Sequence, residues 1–253
     1  MILGRVALAV VAVMLLGGCG PSATGGASVA PRTLTIFAAA SLTDAFGELA
    51  AQFAEDHHGV TVKPVLFDGS STLAVQLEEG ARADVFASAD QASMHAVSDL
   101  IAGTAEVFAT NTLEIAVPRG NPAGIRGVAD LARPGLRVVQ CAPQVPCGAA
   151  AGRLLTQSGV TVVPASEEQN VKAVATKVAS GEADAGLVYV TDVEAARGDL
   201  DGVAIPGAER AANAYPIAAL KEAADPALAD AFVRWVLSPG GQAILARYGF
   251  GTP

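Results

Sequence analysis

The sequence predicts an α/β protein of two lobes, each a mostly parallel sheet flanked by helices. Three observations predict it. Runs rich in β-branched residues alternate with helical patterns almost from end to end, the grammar of an open α/β sheet. With 253 residues, 51% hydrophobic and 16% charged, the chain can fill two cores and is too apolar for disorder. Two β-like stretches followed by polar residues, "NTLEIAVPRGNP" from Asn111 and "AANAYPIAALKE" from Ala211, bracket a block with its own strand and helix pattern. A chain that leaves one lobe and returns needs two such crossings, so lobe 1 is expected at residues 32–117 with 214–253, and lobe 2 at 118–213.

In chain order, the first segment is "MILGRVALAVVAVMLLGGC", with Arg5 near its start, an apolar run from Val6 to Leu16 and then small residues. This is the layout of an export signal, expected at residues 1–18, and the run is short for a membrane span. Its ending "LGGC" resembles the lipobox of bacterial lipoproteins, which implies a lipid-modified Cys19 at the new N-terminus. Residues 19–31, rich in Gly, Ser, Ala and Pro, read as a tether. The protein is thus expected outside the cytoplasm, held to the outer face of the cell membrane.

Strands are expected at Leu34–Ala38, Val60–Leu66, Asp84–Ala87, Leu113–Val117, Leu136–Val139, Ala185–Val188 and Pro216–Leu220, each a short apolar or β-branched run. Helices are expected at Leu42–Asp56, Thr72–Glu79, Gln91–Ser98, Gly148–Gln157, Val171–Ser180, Pro226–Leu237 and Gly240–Tyr248. Ligands of such folds lie beyond the C-terminal ends of the strands, here the cleft between lobes.

Four strand-to-helix junctions share a character. "AAASLTD" places Ser41 and Asp44 in a capping-box-like arrangement, and "DGSST" places Ser70, Ser71 and Thr72 before a helix. "VPCGAA" flanks Cys147 with Pro and Gly, and "SEEQNVKAV" leads into the helix of Val171. Each helix start leaves amides without intrahelical partners and carries the positive end of the helix dipole. Singly these are ordinary caps; two on each expected lobe, they could enclose one small anion without Lys or Arg. The formal net charge of -9 and the lack of a Lys/Arg cluster argue against nucleic acid as a partner.

Taken together, "LTIFAAASLTDAF", "GSSTLAVQLEEGARADVFASAD", "VPCG", "GLVYVTDV" and "ARYGF" resemble, in order, the periplasmic molybdate-binding proteins of ABC transporters, from Leu34 to Phe250. The resemblance implies a two-lobed type II periplasmic binding fold that closes on a tetrahedral oxyanion. Carried over by motif, it implies that Ser41 and Ser70 donate hydroxyl and amide bonds from lobe 1. From lobe 2, Cys147 and Val171 would give backbone amides and Tyr189 its hydroxyl. The expected ligand is molybdate, with tungstate beside it, and the expected partner is an ABC permease. The protein is expected to be a monomer, to need no cofactor or resident metal, and to catalyse nothing. A receptor for sulfate or another oxyanion is the alternative; a secreted hydrolase using Ser41 or Ser70 is a weaker one, because neither serine has a base beside it in sequence.

Cys141 and Cys147, in "CAPQVPCG", are read as a disulfide closing a short loop outside the reducing cytosol, with two free thiols as the alternative. The nearest residues hold no histidine to support a zinc site or a catalytic thiol. Asp68 departs from what an anion site wants and is read as a solvent-facing turn residue. His57 and His58 read as a helix end, and Asp84 and Asp90 as strand-end and capping residues. No Walker A, G-x-S-x-G or H-E-x-x-H pattern occurs.

Overall fold

The structure, a computed structural model, describes residues 32–253. The expected export signal, Cys19 and the tether lie outside the described residues. No helix among the described residues is long and apolar enough to cross a membrane.

The first part of the chain runs β1 (Arg32–Leu34), β2 (Ile36–Ala39), a 3-10 turn (Ala40–Leu42), α1 (Thr43–Asp56), β3 (Val60–Val62), β4 (Leu66–Asp68), α2 (Ser70–Glu78), β5 (Val85–Ala87), α3 (Gln91–Ala96) and β6 (Glu106–Asn111). The middle runs β7 (Leu113–Pro118), β8 (Val138–Cys141), α4 (Pro146–Ser158), β9 (Ser166–Glu168), α5 (Val171–Ala179), β10 (Ala185–Tyr189), α6 (Val190–Ala195) and β11 (Leu200–Val203). The last part returns through β12 (Asn213–Ala219), α7 (Pro226–Leu237) and α8 (Pro239–Arg247). Helix periodicity explains α1: Ala45, Phe46, Leu49, Ala50 and Phe53 form its buried stripe. Phe46 and Phe53 then meet Phe232 of α7 edge-on, at ring separations of 6.2 and 5.2 Å.

Two five-stranded sheets result, in the orders β4-β2-β5-β12-β6 and β9-β8-β10-β7-β11. The orders correspond: in each sheet a strand that crosses between lobes, β12 or β7, takes the fourth place. Each sheet is mostly parallel, as the sequence predicts: four of its five strands run the same way and one runs against them. β12 runs antiparallel to β5 and β6, and β7 antiparallel to β10 and β11. The crossing strands enter from the opposite lobe, so they run against the strands of the βα units.

The first crossing also falls earlier than expected. Leu113–Val117, assigned by its sequence to lobe 1, lies in β7, which pairs with β10 and β11 of the second sheet. The strand that ends lobe 1 is β6, unrecognised in the sequence, and only Thr112 separates it from β7. Two further short strands, β9 and β11, and the short helix α6 were likewise not expected. Val60–Leu66 is two strands: β3 pairs with β1 and β4 with β2, and Pro64 between them has no N–H to continue a ladder.

The second lobe has one core, from Leu113 and Ile115 through Val174 to Ala211. The first has two, one on each face of its sheet: α1, α7 and α8 cover one, α2 and α3 the other.

Candidate functional site

Between the sheets lies a small cavity of about 10 Å³, close to the room a single water molecule needs. Ser41, Ser70, Cys147, Val171 and Tyr189 all line it, with Asp68, Gly69 and Asn170 beside them. These residues come from separate strand-to-helix junctions, and tertiary folding brings them to one point.

Ser41 lies on the 3-10 turn after β2 and is buried. The capping box expected with Asp44 does not form: Leu42 is the N-cap of α1 and makes no side-chain cap bond. Ser41 Oγ instead meets the Tyr215 hydroxyl at 3.0 Å. Asn111 Nδ2 approaches that hydroxyl at 3.5 Å, and its amide is oriented because Asn111 Oδ1 accepts the Thr112 N–H at 3.0 Å. Tyr215 can then give its proton to Ser41 Oγ, which leaves the serine proton for the cavity.

Tyr189 is held in the same manner. Asn213 Nδ2 donates to its hydroxyl at 2.7 Å, and Arg153 orients that amide by donating to Asn213 Oδ1 at 2.6 Å. The Tyr189 oxygen is an acceptor there, so its proton can turn toward a ligand. Burial pushes the Tyr189 and Tyr215 hydroxyls well above the usual tyrosine range, so both keep their protons. The Ser70 oxygen, too, is occupied, accepting from the Ala89 N–H at 2.9 Å.

Ser70, Cys147 and Val171 occupy the first turns of α2, α4 and α5. First-turn amides have no carbonyl of their own helix to meet, and the helix dipole adds positive potential there. Cys147 and Cys141 are disulfide-bonded, tying the start of α4 to the end of β8. Gly148 completes that junction: a Cβ there would lie 1.9 Å from the Ala142 carbonyl oxygen, so no larger residue lets the turn settle against this backbone.

No Lys or Arg lines the cavity; Asp68 is its one charged side chain. Asp68 is not the solvent-facing turn residue its sequence suggested. It is half-buried, and its Oδ1 accepts from the Gly69 N–H at 2.7 Å and from Asn170 Nδ2 at 3.0 Å. A second carboxylate lies behind the site. Asp192 is buried, accepts the Tyr189 N–H at 3.2 Å and has Lys172 Nζ 3.5 Å away. Burial raises its pKa to about 6, against the lowering effect of Lys172.

The hydroxyls and first-turn amides can bind an anion. They offer no general base: the hydrogen-bond partners of Ser41 and Ser70 are a tyrosine hydroxyl and a backbone amide. His57 is held to the Phe53 carbonyl at the end of α1. No group of three or more metal-ligating residues occurs among the described residues. Asp90 caps α3 through the Ser93 N–H, and Asp84 binds the Thr35 and Ala224 amides.

Residues 34–251 match the family model described as bacterial extracellular solute-binding protein. The chain belongs to that family. A Mycobacterium tuberculosis relative, the molybdate-binding protein ModA, is 45% identical over 252 residues, covering 96% of both chains. The ModA of Escherichia coli is 32% identical over 229 residues, covering 86% of this chain and 88% of its own. Among solved structures, the periplasmic molybdate-binding protein of Azotobacter vinelandii aligns with a TM-score of 0.71 at 25% identity, covering 87% of this chain and 99% of that one. The sulfate-binding protein SubI of M. tuberculosis aligns at 0.73 with 18% identity, covering 87% of this chain and 86% of its own, a likeness of fold alone.

This solute-binding protein carries site residues that the sequence reading missed. Asn111, Asn213 and Tyr215 are buried behind the cavity and orient its hydroxyls. The two asparagines lie in the stretches compared as crossings, and that comparison was the available signal: polar residues beside strands that both lobes share.

Proposed function

We propose that this solute-binding protein captures molybdate outside the cytoplasm and hands it to the permease of an ABC transporter. The observation that carries the reading is the cavity wall: three oriented hydroxyls and the first turns of three helices, with no Lys or Arg. Such a wall donates hydrogen bonds and takes almost none. It suits a tetrahedral oxyanion that is fully ionised near neutral pH and disfavours hydrogen phosphate, which brings a proton of its own. The 45% identity to ModA over nearly the whole chain supports molybdate within that class. Ser41, Ser70 and Tyr189 are the hydroxyl donors of this reading, and Ser70, Cys147 and Val171 give amides.

Tungstate, a tetrahedral dianion of the same kind, is the second ligand of the reading. The protein acts by closing its lobes on the ligand, which stabilises the closed state through its greater affinity for it. It binds as a monomer, catalyses no reaction and is anchored through Cys19 to the outer face of the cell membrane, as its N-terminal motif implies. Sulfate is the competing ligand. A sulfate-binding protein of Synechococcus elongatus is 26% identical over 286 residues, and a donor-only wall suits sulfate as well.

Calorimetric titration of the purified protein with molybdate, in a large excess of sulfate, tests the reading. Tight one-to-one binding is expected. Heat with sulfate alone would move the function to sulfate uptake, and no heat with either anion would end the oxyanion reading.

A further inference from the structure

Of four consecutive residues of the second lobe, Gln169 to Lys172, the middle two line the cavity. Three of the four touch the first lobe. The carbonyl oxygen of Gln169 faces Gly69 so closely that a Cβ on Gly69 would lie 2.3 Å from it. Asn170 Nδ2 donates to Asp68 Oδ1 at 3.0 Å, while its own Oδ1 caps α5 by accepting the Ala173 N–H at 3.0 Å. Lys172 Nζ reaches Asp44 Oδ2 of α1 at 3.1 Å, and lies 3.5 Å from the buried Asp192 of its own lobe. The fourth, Val171, lines the cavity.

From this juxtaposition we infer that Asp68, Gly69 and Asn170 form a clasp that holds the lobes closed and sets how long the ligand stays. They are positioning residues for the oxyanion site, and the inference rests on the binding reading above. The coupling is mechanical. Opening the lobes breaks the Asp68–Asn170 bond and lifts the same turn of α5 that carries Val171 away from the ligand. The clasp forms after entry, so it slows release and leaves association unchanged. It also explains how a carboxylate is tolerated beside an anion: Asp68 Oδ1 is already engaged by Gly69 and Asn170. Gly69 has φ -57 and ψ 131, a conformation open to any residue, so its lack of a side chain serves the contact with Gln169 and not the backbone.

The test uses the purified protein with isotopically labelled molybdate. Asp68→Ala should release it about tenfold faster, with association within about twofold, as expected for loss of a hydrogen bond to a charged group. Asp68→Asn keeps the acceptor and removes the charge, so it should restore the parent release rate or slow it further. Gly69→Ala should weaken binding at least tenfold while the ligand-free melting temperature stays at the parent value, because the methyl props the lobes apart without straining either. Unchanged release in Asp68→Ala, slower release in both Asp68 variants, or parent affinity in Gly69→Ala would each overturn the clasp. If the parent binds none of molybdate, tungstate or sulfate, the binding reading fails by itself. Small-angle scattering at saturating molybdate reads the clasp directly: a parent that contracts beside a Gly69→Ala that does not supports it, and equal contraction overturns it.

Discussion

Replacing Tyr189 with Phe removes one oxygen from the cavity wall and little else. The ring is buried and packs 6.0 Å from that of Tyr215 at 69°, a contact phenylalanine keeps. Asn213 Nδ2 loses the hydroxyl at 2.7 Å and retains the Pro146 carbonyl at 3.3 Å, so the folded state loses about 1 kcal/mol or less. The bound state loses more. A hydrogen bond to an ionised acceptor is worth about 1.5–3 kcal/mol, which weakens molybdate binding about 10- to 150-fold. Calorimetric titration gives the affinity, and thermal unfolding without ligand gives the folding cost, expected below about 4 °C for a chain of this size. The tyrosine proton is held well above its usual range, so the parent-to-variant ratio should stay constant from pH 6 to about pH 9. A dissociation constant within about twofold of the parent, at an unchanged melting temperature, would refute the donor role of Tyr189 and the Asn213 relay behind it.

Other perturbations test the scaffold. Removing the Cys141–Cys147 disulfide, by reduction or by serine at both positions, releases a loop of sequence separation 6; chain entropy puts the loss at about 2 kcal/mol, or about 4–8 °C in melting temperature, with weaker anion binding. Gly148→Ala places a methyl 1.9 Å from the Ala142 carbonyl oxygen, and should destabilise the protein by more than about 3 kcal/mol in a denaturant titration, where an unchanged midpoint would contradict the packing. Glu114 on β7 is partly buried, and burial first, then Glu194 and Asp192, raises its pKa from 4.5 to about 7. The folded state therefore holds this proton more tightly than the unfolded state. Its stability contribution is complete below pH 4.5 and is lost as pH rises through 7, by at most about 3 kcal/mol and less with partial exposure. Glu114→Gln should accordingly melt higher than the parent at pH 8 and equally at pH 4.

What the sequence determined by itself was local. A serine after three alanines, "GSST" before a helical pattern, and Pro-Cys-Gly opening another each announce a helix start with small residues, and those starts supply the cavity wall. Helices such as α1 and α7 were legible from their apolar stripes, and α7 ends where its pattern ends. The tertiary structure decided the rest. β7 reads as a strand in isolation, but only its pairing with β10 and β11 assigns it to the second lobe. β9 and β11 are short, β6 is weakly patterned, and all three become strands because a neighbour completes their ladders. Tyr215, ordinary in sequence, meets Ser41 across 174 residues and is itself approached by Asn111 across 104, and Asp68 finds Asn170 across 102. Helix caps and apolar periods involve residues a turn or two apart, so a single stretch of chain records them. A hydroxyl's direction or a strand's lobe depends on partners a hundred residues away, brought together only when the cores of both lobes are buried.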